Sequence, residues 1–432
     1  MSNRVFCGEF NSEQKFINQD YVTLPSFPGK AYDNKILLDG MDGMLLTMMN
    51  DNDVLLSRYP LPESYVQYWN QQISQIKNVS VLKKEEESES GIFHLISYNE
   101  DLMSFLQDKE IEEYAIVPEL YEMLSKQNPE QTIPSLELIQ ELNSKAYSNF
   151  LKEKYDLPCK GVRVNDIAQF EQVANEMIRE GAIIIKDVMG VSGKGVLVLE
   201  NEKAVNRLSR HFQKQSSKKF FDFILEPYLH KTLDFSCQLT ISNEGVINIQ
   251  GLQKNNNRGF TYMETEDLES NEVKMIEESG YYEDVMNIAQ EIKAKGYSGY
   301  ICIDSMAVND NSIVPLVEIN PRMSMARFNL AMEKKLGHFK CCFSYVNVSS
   351  EKVCHIDKLM DELSERNLLF KKGSESGGII PLAPNTWSLY NNCEQKVSLR
   401  IYYMVAYLDK ELVMYKEKFR KCLNDMGVKV FQ

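Results

Sequence analysis

Ile301-Cys302-Ile303-Asp304-Ser305-Met306-Ala307-Val308 and Ile313-Val314-Pro315-Leu316-Val317-Glu318-Ile319-Asn320-Pro321-Arg322 are two largely apolar runs separated by a turn at Asn309–Asn311. Their composition and spacing predict a hairpin over Tyr300–Val308 and Ile313–Ile319. Pairing the strands sets Asp304 beside Glu318, and Asn320, two residues on, points the same way. Two carboxylates and an amide oxygen on one face are hard ligands suited to Mg²⁺. Left uncompensated in a sheet, such carboxylates would be costly. A structural ion pair with Arg322 is the competing reading.

Upstream, Val285, Ile288, Ala289 and Ile292 share one helical face that ends at Gly296. Before it, Phe235, Cys237, Leu239 and Ile241 alternate with Ser236, Gln238 and Thr240 as a half-buried strand. Asn243-Glu244-Gly245 turns that strand into Val246–Leu252. Farther up, Asp166 with Gln169 three residues on is an N-cap for a helix whose face carries Phe170, Val173, Ala174, Met177 and Ile178. Strands are expected at Ala182–Ile185, Val196–Leu199 and Phe221–Leu225, with a helix over Glu202–Phe212.

Two features of this stretch suggest a phosphate ligand. Lys186 ends a strand beside Gly190-Val191-Ser192-Gly193-Lys194-Gly195. Glycines let backbone N–H groups approach anionic oxygens, and lysine adds a point charge. This is not a Walker A loop, since Gly195 and a strand follow Lys194 where Ser or Thr and a helix are needed. A plain Gly/Ser turn is the alternative. Ile224-Leu225-Glu226-Pro227-Tyr228-Leu229 ends a strand in an acid, for which an edge strand with a surface carboxylate is the alternative.

The wider sequence excludes several function classes. The 432 residues suggest about two to four domains. Apolar residues make up 43% and charged residues 25%, so wholesale disorder is not expected. With 48 basic against 62 acidic residues the net charge is −14, which rules out a global positive field for nucleic acid or an anionic membrane. Met1-Ser2-Asn3-Arg4 lacks the apolar core of a signal peptide and no uncharged apolar run approaches 18 residues, so a cytoplasmic chain is expected. Nine cysteines without a Cys-x-x-Cys pair fit reduced, structural thiols, and the five histidines are scattered.

The first 135 residues read as a small α/β layer. Its strands are expected at Ile36–Leu38, Val54–Leu56, Val79–Leu82, Ile92–Phe93 and Tyr114–Val117, with helices at Tyr65–Ile76 and Glu100–Leu106. Gly29, Gly40 and Gly43 do not make G-x-G-x-x-G, so no dinucleotide site is expected there. Beyond Gly337, Lys371–Gly378 is a linker or lid signal, Ile379–Leu382 and Val397–Leu408 read as strands, and Glu411–Leu423 reads as a terminal helix.

Taken in this order, the pieces over about Ser135–Leu336 resemble the ATP-grasp superfamily. The resemblance implies an α/β and α+β architecture in which two subdomains grip ATP. An N-terminal Rossmann-like pre-ATP-grasp domain would occupy 1–135, the ATP-grasp core 136–337 and a small C-terminal α+β domain 338–432. The last would carry a lid segment at 371–378. Residue roles follow from the same likeness. Lys145 is similar to the family's first ATP-binding lysine and Lys186 to the second. Gly190, Ser192, Gly193, Lys194 and Gly195 resemble the mobile loop over the β- and γ-phosphates. Glu226, Tyr228 and Leu229 resemble the adenine hinge, and Asp234 the ribose-binding acid. Asp304, Glu318 and Asn320 resemble the Mg²⁺ ligands, and Arg322 would face the transferring phosphoryl group.

One departure matters. Some amino-acid ligases of the superfamily carry an arginine two residues before the metal aspartate, where this chain has Cys302. Charge stabilisation is then expected from Arg258, in the donor-rich Gln253–Gly259, or from Arg327, both also candidates for gripping substrate carboxylates.

The implied reaction activates a carboxylate as an acyl phosphate, which a nucleophile then displaces. In layout and length the chain also resembles the pheganomycin-type peptide ligases, and among them the glutamate–acyl-carrier-protein ligases of aminoglycoside biosynthesis. That narrower likeness implies L-glutamate as substrate and a phosphopantetheine thiol as acceptor. Carrier proteins are typically acidic, so docking would need a local basic patch, for which Lys416, Lys418, Arg420 and Lys421 are candidates beside the plainer reading of a solvated helix face. A peptide ligase with a free amine acceptor, a small-molecule kinase and a non-catalytic ATP-sensing scaffold are the alternatives.

Overall fold

The structure is a computed structural model. It describes residues 4–16, 20–25, 34–83, 86, 88, 90–127, 133–189, 195–215, 217–309, 311–350, 355–388, 397–408 and 410–431. Among these, three sheets organise the chain. The first is parallel, built from β1 (Arg4–Cys7), β2 (Val54–Ser57), β3 (Lys77–Ser80) and β4 (Glu110–Glu113) in the order β3-β2-β1-β4. The second is antiparallel, with β5 (Val162–Val164), β6 (Ile183–Asp187), β7 (Val196–Leu199) and β8 (Phe223–Pro227) in the order β5-β8-β6-β7.

The third sheet is the largest. It holds β9 (Lys231–Ile241), β10 (Ile247–Arg258), β11 (Thr261–Glu266), β12 (Gly299–Val308), β13 (Ile313–Asn320), β14 (Lys340–Ser350), β15 (Gly378–Leu382), β16 (Val397–Tyr407) and β17 (Lys429–Phe431). Its order is β13-β12-β9-β10-β11-β14-β16-β15, with β17 pairing β14. The β11–β14 pairing carries this sheet across residue 337, so the strands on either side of that position are one surface.

The predicted elements of the middle third are present, and Asp166 caps its helix by accepting from the Gln169 N–H at 2.7 Å. The first third differs from expectation in three places. Ile36–Leu38 lies in a helix (Asn34–Gly40), where Lys35 and Asp39 pair at 2.5 Å. Ile92–Phe93 opens a second helix (Ile92–Ser97), whose first N–H donates to Glu9 at 2.6 Å. The strand expected at Tyr114–Val117 is the acidic Glu110–Glu113 just before it, where Arg4 pairs with Glu112 across β1 and β4. Short apolar runs do not distinguish strand from helix by periodicity alone, and a charged edge strand lacks the apolar signal altogether.

Packing joins the two ends of the chain. Phe6, Met44, Tyr65 and Trp69 share one core with Phe328, Phe343, Ile379 and Met404. Tyr65 and Tyr68 donate their hydroxyls to the carbonyls of Pro381 (3.0 Å) and Phe370 (3.1 Å). Gly40 serves this contact: a Cβ there would stand 2.4 Å from the Thr386 nitrogen. A second core lies beneath β9, β12 and β13, and a third fills the small β5–β8 sheet. Residues 20–25 run along that small sheet. Tyr21 bridges Phe220, the Val22 N–H donates to the Phe220 carbonyl at 2.8 Å, and Val22 and Leu24 enter the third core.

Candidate active site

The β12–β13 ladder pairs Asp304 with Glu318 and Cys302 with Asn320, so the two carboxylates and the amide share one face. Burial first, then the charge of Glu318, pushes the Asp304 carboxyl up to about 7. Two adjacent acids that resist sharing full charge form a donor set fitted to a cation. Asn320 is turned differently from expectation. Its Nδ2 donates to Asp304 at 3.0 Å while its Oδ1 accepts from Arg322 at 3.1 Å. Its oxygen reaches a metal only if the amide turns away from the arginine.

Lys145 opens the helix Lys145–Lys154, held there by the Ser144 cap, and its Nζ meets Glu318 at 2.9 Å. This lysine therefore sits on the carboxylate side. Lys186, on β6, and Lys152, two helical turns beyond Lys145, converge instead on Glu226 of β8. Their Nζ atoms lie 2.5 and 2.7 Å from its two oxygens. All three groups are buried. Burial works against the Glu226 charge, but Lys186 and Lys152 more than offset it and hold the carboxyl at about 2. Burial lowers Lys152, whereas Glu226 raises Lys186 despite burial. Lys152 is the residue that the sequence reading missed. The available signal was its spacing of seven from Lys145, which puts both lysines on one helix face.

Tyr228 and Leu229 follow β8 and lead into β9, where the chain passes from the small sheet to the large one. The Tyr228 N–H donates to the Ala182 carbonyl at 2.9 Å. Asp234 accepts from Lys231 at 2.5 Å and from Asn257 at 2.9 Å. Gly195 begins the return to β7, and its carbonyl accepts from the Asp187 N–H at 2.8 Å. Gly190, Ser192, Gly193 and Lys194 lie outside the described residues.

The arginines separate into three environments. Arg258 ends β10 in the open. Arg327 is not brought to the acids. It is 5% exposed, donates to the Leu239 carbonyl at 2.8 Å and stacks 4.6 Å over Tyr300, so its guanidinium is held inside the packing of its helix on the sheet. Arg322 stands beside Asn320 with all five N–H groups engaged. Nε and Nη2 both donate to the Oε1 of Glu13, Nη2 also meets Asn320, and Nη1 meets the Tyr114 hydroxyl (3.3 Å) and the Met323 carbonyl (3.1 Å). Burial disfavours its charge, but Glu13 raises its pKa. Glu13, Phe16, Asn143, Met189 and Glu318 line a small pocket nearby.

The fold has known structural counterparts. Biotin carboxylase from Campylobacter jejuni, solved as a nucleotide complex, superposes with a TM-score of 0.56 at 12% identity, covering 100% of this chain and 92% of that one. N5-carboxyaminoimidazole synthetase from Staphylococcus aureus, complexed with ADP, gives 0.52 at 14% identity, covering 94% and 100%. The chain has the ATP-grasp fold. No family model matches it. Among curated proteins, the [butirosin acyl-carrier protein]–L-glutamate ligase of Niallia circulans is 26% identical over 245 residues, which cover 52% of this chain and 55% of that protein. The match thus spans about half the length of that relative. Within the ATP-grasp frame, Lys152, Lys186 and Glu226 lie at the passage between the small and large sheets, and Asp304 and Glu318 lie on the large sheet beside Lys145 and Arg322.

One further expectation changes. Lys416 does not join a surface patch with Lys418, Arg420 and Lys421. It turns inward to pair with Glu264 at 2.7 Å, beside Glu266 and the buried Cys342. Among the described residues, no helix is long and apolar enough to cross a membrane.

Proposed function

We propose that this chain is an ATP-dependent, ADP-forming carboxylate ligase. It activates an amino acid, with L-glutamate the best candidate, as an acyl phosphate. It then transfers the acyl group to the phosphopantetheine thiol of an acyl-carrier protein in cytoplasmic natural-product biosynthesis of the aminoglycoside kind. The observation that carries the reading is the facing pair Asp304 and Glu318, flanked by Lys145 and Arg322, opposite a buried double-lysine site. The likeness to the butirosin-pathway ligase supports the substrate and the acceptor. We also propose the functional division of the chain at about 135 and 337.

In this reading Lys152 and Lys186 bind nucleotide phosphate oxygens, and Glu226 keeps both ammonium groups aimed and charged. Tyr228 and Leu229 edge the adenine pocket, Asp234 takes the ribose, and the loop ending at Gly195 covers the outer phosphates. Asp304 and Glu318 fit Mg²⁺, which when bound would neutralise charge on the β- and γ-phosphates. Asn320 adds its oxygen once its amide turns. Lys145 holds Glu318 in place, and Arg322 faces the carboxylate as it gains the phosphoryl group. Phosphoryl transfer needs positioning and charge neutralisation more than covalent help from protein, and these groups supply both.

The test is an ADP-release screen of amino acids with hydroxylamine, followed by carrier-protein mass shifts with the best acid. Hydroxamate formed with equimolar ADP is the expected result. A stable phosphorylated product, or no ADP with any acid, would overturn the ligase reading.

A further inference from the structure

Cys302 is the fourth corner of the patch that carries Asp304, Glu318 and Asn320. It stands opposite Asn320 on β13 and opposite Gln238 on β9. Its Sγ donates to the Asp304 Oδ1 at 3.6 Å, while the Asn320 Nδ2 donates to Oδ2 at 3.0 Å. Behind the thiol lies a buried chain of hydrogen bonds whose direction is fixed at every link. Ser324 caps the helix Met325–Leu336 by accepting from the Arg327 N–H at 3.2 Å, and its hydroxyl hydrogen goes to the Gln238 Oε1 at 2.7 Å. That contact sets the Gln238 amide with Nε2 towards the Ser236 hydroxyl (3.1 Å) and the Cys302 sulfur (3.2 Å). The sulfur accepts there, which leaves its one hydrogen for Asp304. Ser236, Gln238, Cys302 and Ser324 are all buried, and Asn255 and Thr265 extend the network from Ser236 across β10 and β11.

The Asn320 contact does not survive cation binding, because the amide oxygen reaches a cation only when Nδ2 leaves Asp304. Cys302 is then the side-chain donor left on Asp304 among the described residues. Without it the carboxylate is free to turn about its last bond, and a turned carboxylate presents a different oxygen. A thiol is also neutral. It orients Asp304 without answering its charge, so the charge of Asp304 and Glu318 stays available to a hard cation. We infer that Cys302 is a positioning residue for the Asp304 metal ligand, itself held by the Ser324–Gln238 relay that starts at the helix cap. Such outer partners set the aim of the groups that touch a metal. The inference rests on the metal assignment above and goes beyond it by naming what keeps the carboxylate aimed.

The experiment titrates Mn²⁺ alone into wild type, Cys302→Val, Cys302→Ser and Gln238→Leu, and reads the free ion by its EPR signal. Cys302→Val keeps the bulk and loses the donor, and it should raise the Mn²⁺ Kd about tenfold, the low end of the range for outer partners of metal ligands. Cys302→Ser keeps a donor and should stay within about threefold of wild type. A packing role alone would order the two the other way, because serine leaves a void around a buried hydroxyl. Gln238→Leu should also weaken Mn²⁺ binding, but should add less than about twofold once Cys302 is already Val, since it acts through the thiol. Three results would each overturn the positioning role while leaving the metal pair standing. They are a Cys302→Val Kd within about twofold of wild type, a Cys302→Ser Kd above that of Cys302→Val, and a Gln238→Leu effect that survives in full without the thiol. If wild type takes up no Mn²⁺, or Glu318→Gln binds it as wild type does, the metal reading falls and takes this inference with it.

Discussion

Replacing Glu226 with Gln tests the buried double-lysine site directly. The carboxyl is held at about 2 against an ordinary 4.5. At about 1.4 kcal/mol per pH unit, its surroundings favour the ionised form by about 3 kcal/mol. This carboxyl is 4% exposed, so little solvent screening intervenes. The sign follows from the depressed value: the contribution is complete above about pH 4.5 and is lost as pH falls towards 2. Glu226→Gln removes it and strands two buried ammonium groups, for an expected loss of about 3–5 kcal/mol at pH 7. Urea unfolding of both proteins at pH 7 and at pH 4 measures the gap, which should narrow at the lower pH. Adding Lys152→Met to Glu226→Gln should recover part of the loss, because it removes one stranded charge. A loss under about 0.5 kcal/mol at pH 7, in the range of ordinary surface substitutions, would refute the reasoning.

The remaining predictions concern activity and docking. Lys152→Met alone should raise the KM for ATP at least tenfold in steady-state ADP release, since it removes a charge-assisted phosphate contact; an unchanged KM would place the nucleotide elsewhere. Glu318→Gln should lower ADP formation by about a hundredfold or more without shifting the urea midpoint greatly, and unaffected turnover would remove Glu318 from the metal site. Reversing Lys418 and Lys421 to Glu should slow transfer to a carrier protein while sparing hydroxylamine trapping, and an equal carrier rate would sink docking on the terminal helix.

What the sequence made legible follows its periodicities. The β12–β13 register could be read from residues 300–322 because a hairpin is local and its side-chain period is fixed, so Asp304 met Glu318 as expected. Lys186 and Glu226 could likewise be placed at strand ends. Lys145 is the lysine that the sequence marks, whereas Lys152, seven residues on along the same helix face, carries no mark, and only tertiary packing brings it to Glu226. Lys416 looked like a surface charge on an amphipathic helix, but a long aliphatic stem lets a lysine reach inward to a partner. Arg327 is, with Arg258, a sequence candidate for charge stabilisation and for gripping substrate carboxylates, yet its helix turns it into the protein. Glu13 was invisible for a different reason: its partner is on the far side of the chain, and nothing local marks it.

The segment 20–25 has a mechanical consequence. The small β5–β8 lobe is joined to the large sheet through Tyr228–His230, and it is joined a second time to the N-terminal lobe through Tyr21, Val22 and Leu24. Further ties run from the helix Lys145–Lys154, whose Lys152 reaches Glu226 and whose Asn149 bonds the Gly161 backbone, so a swing of the lobe must strain these as well as the Val22–Phe220 contact.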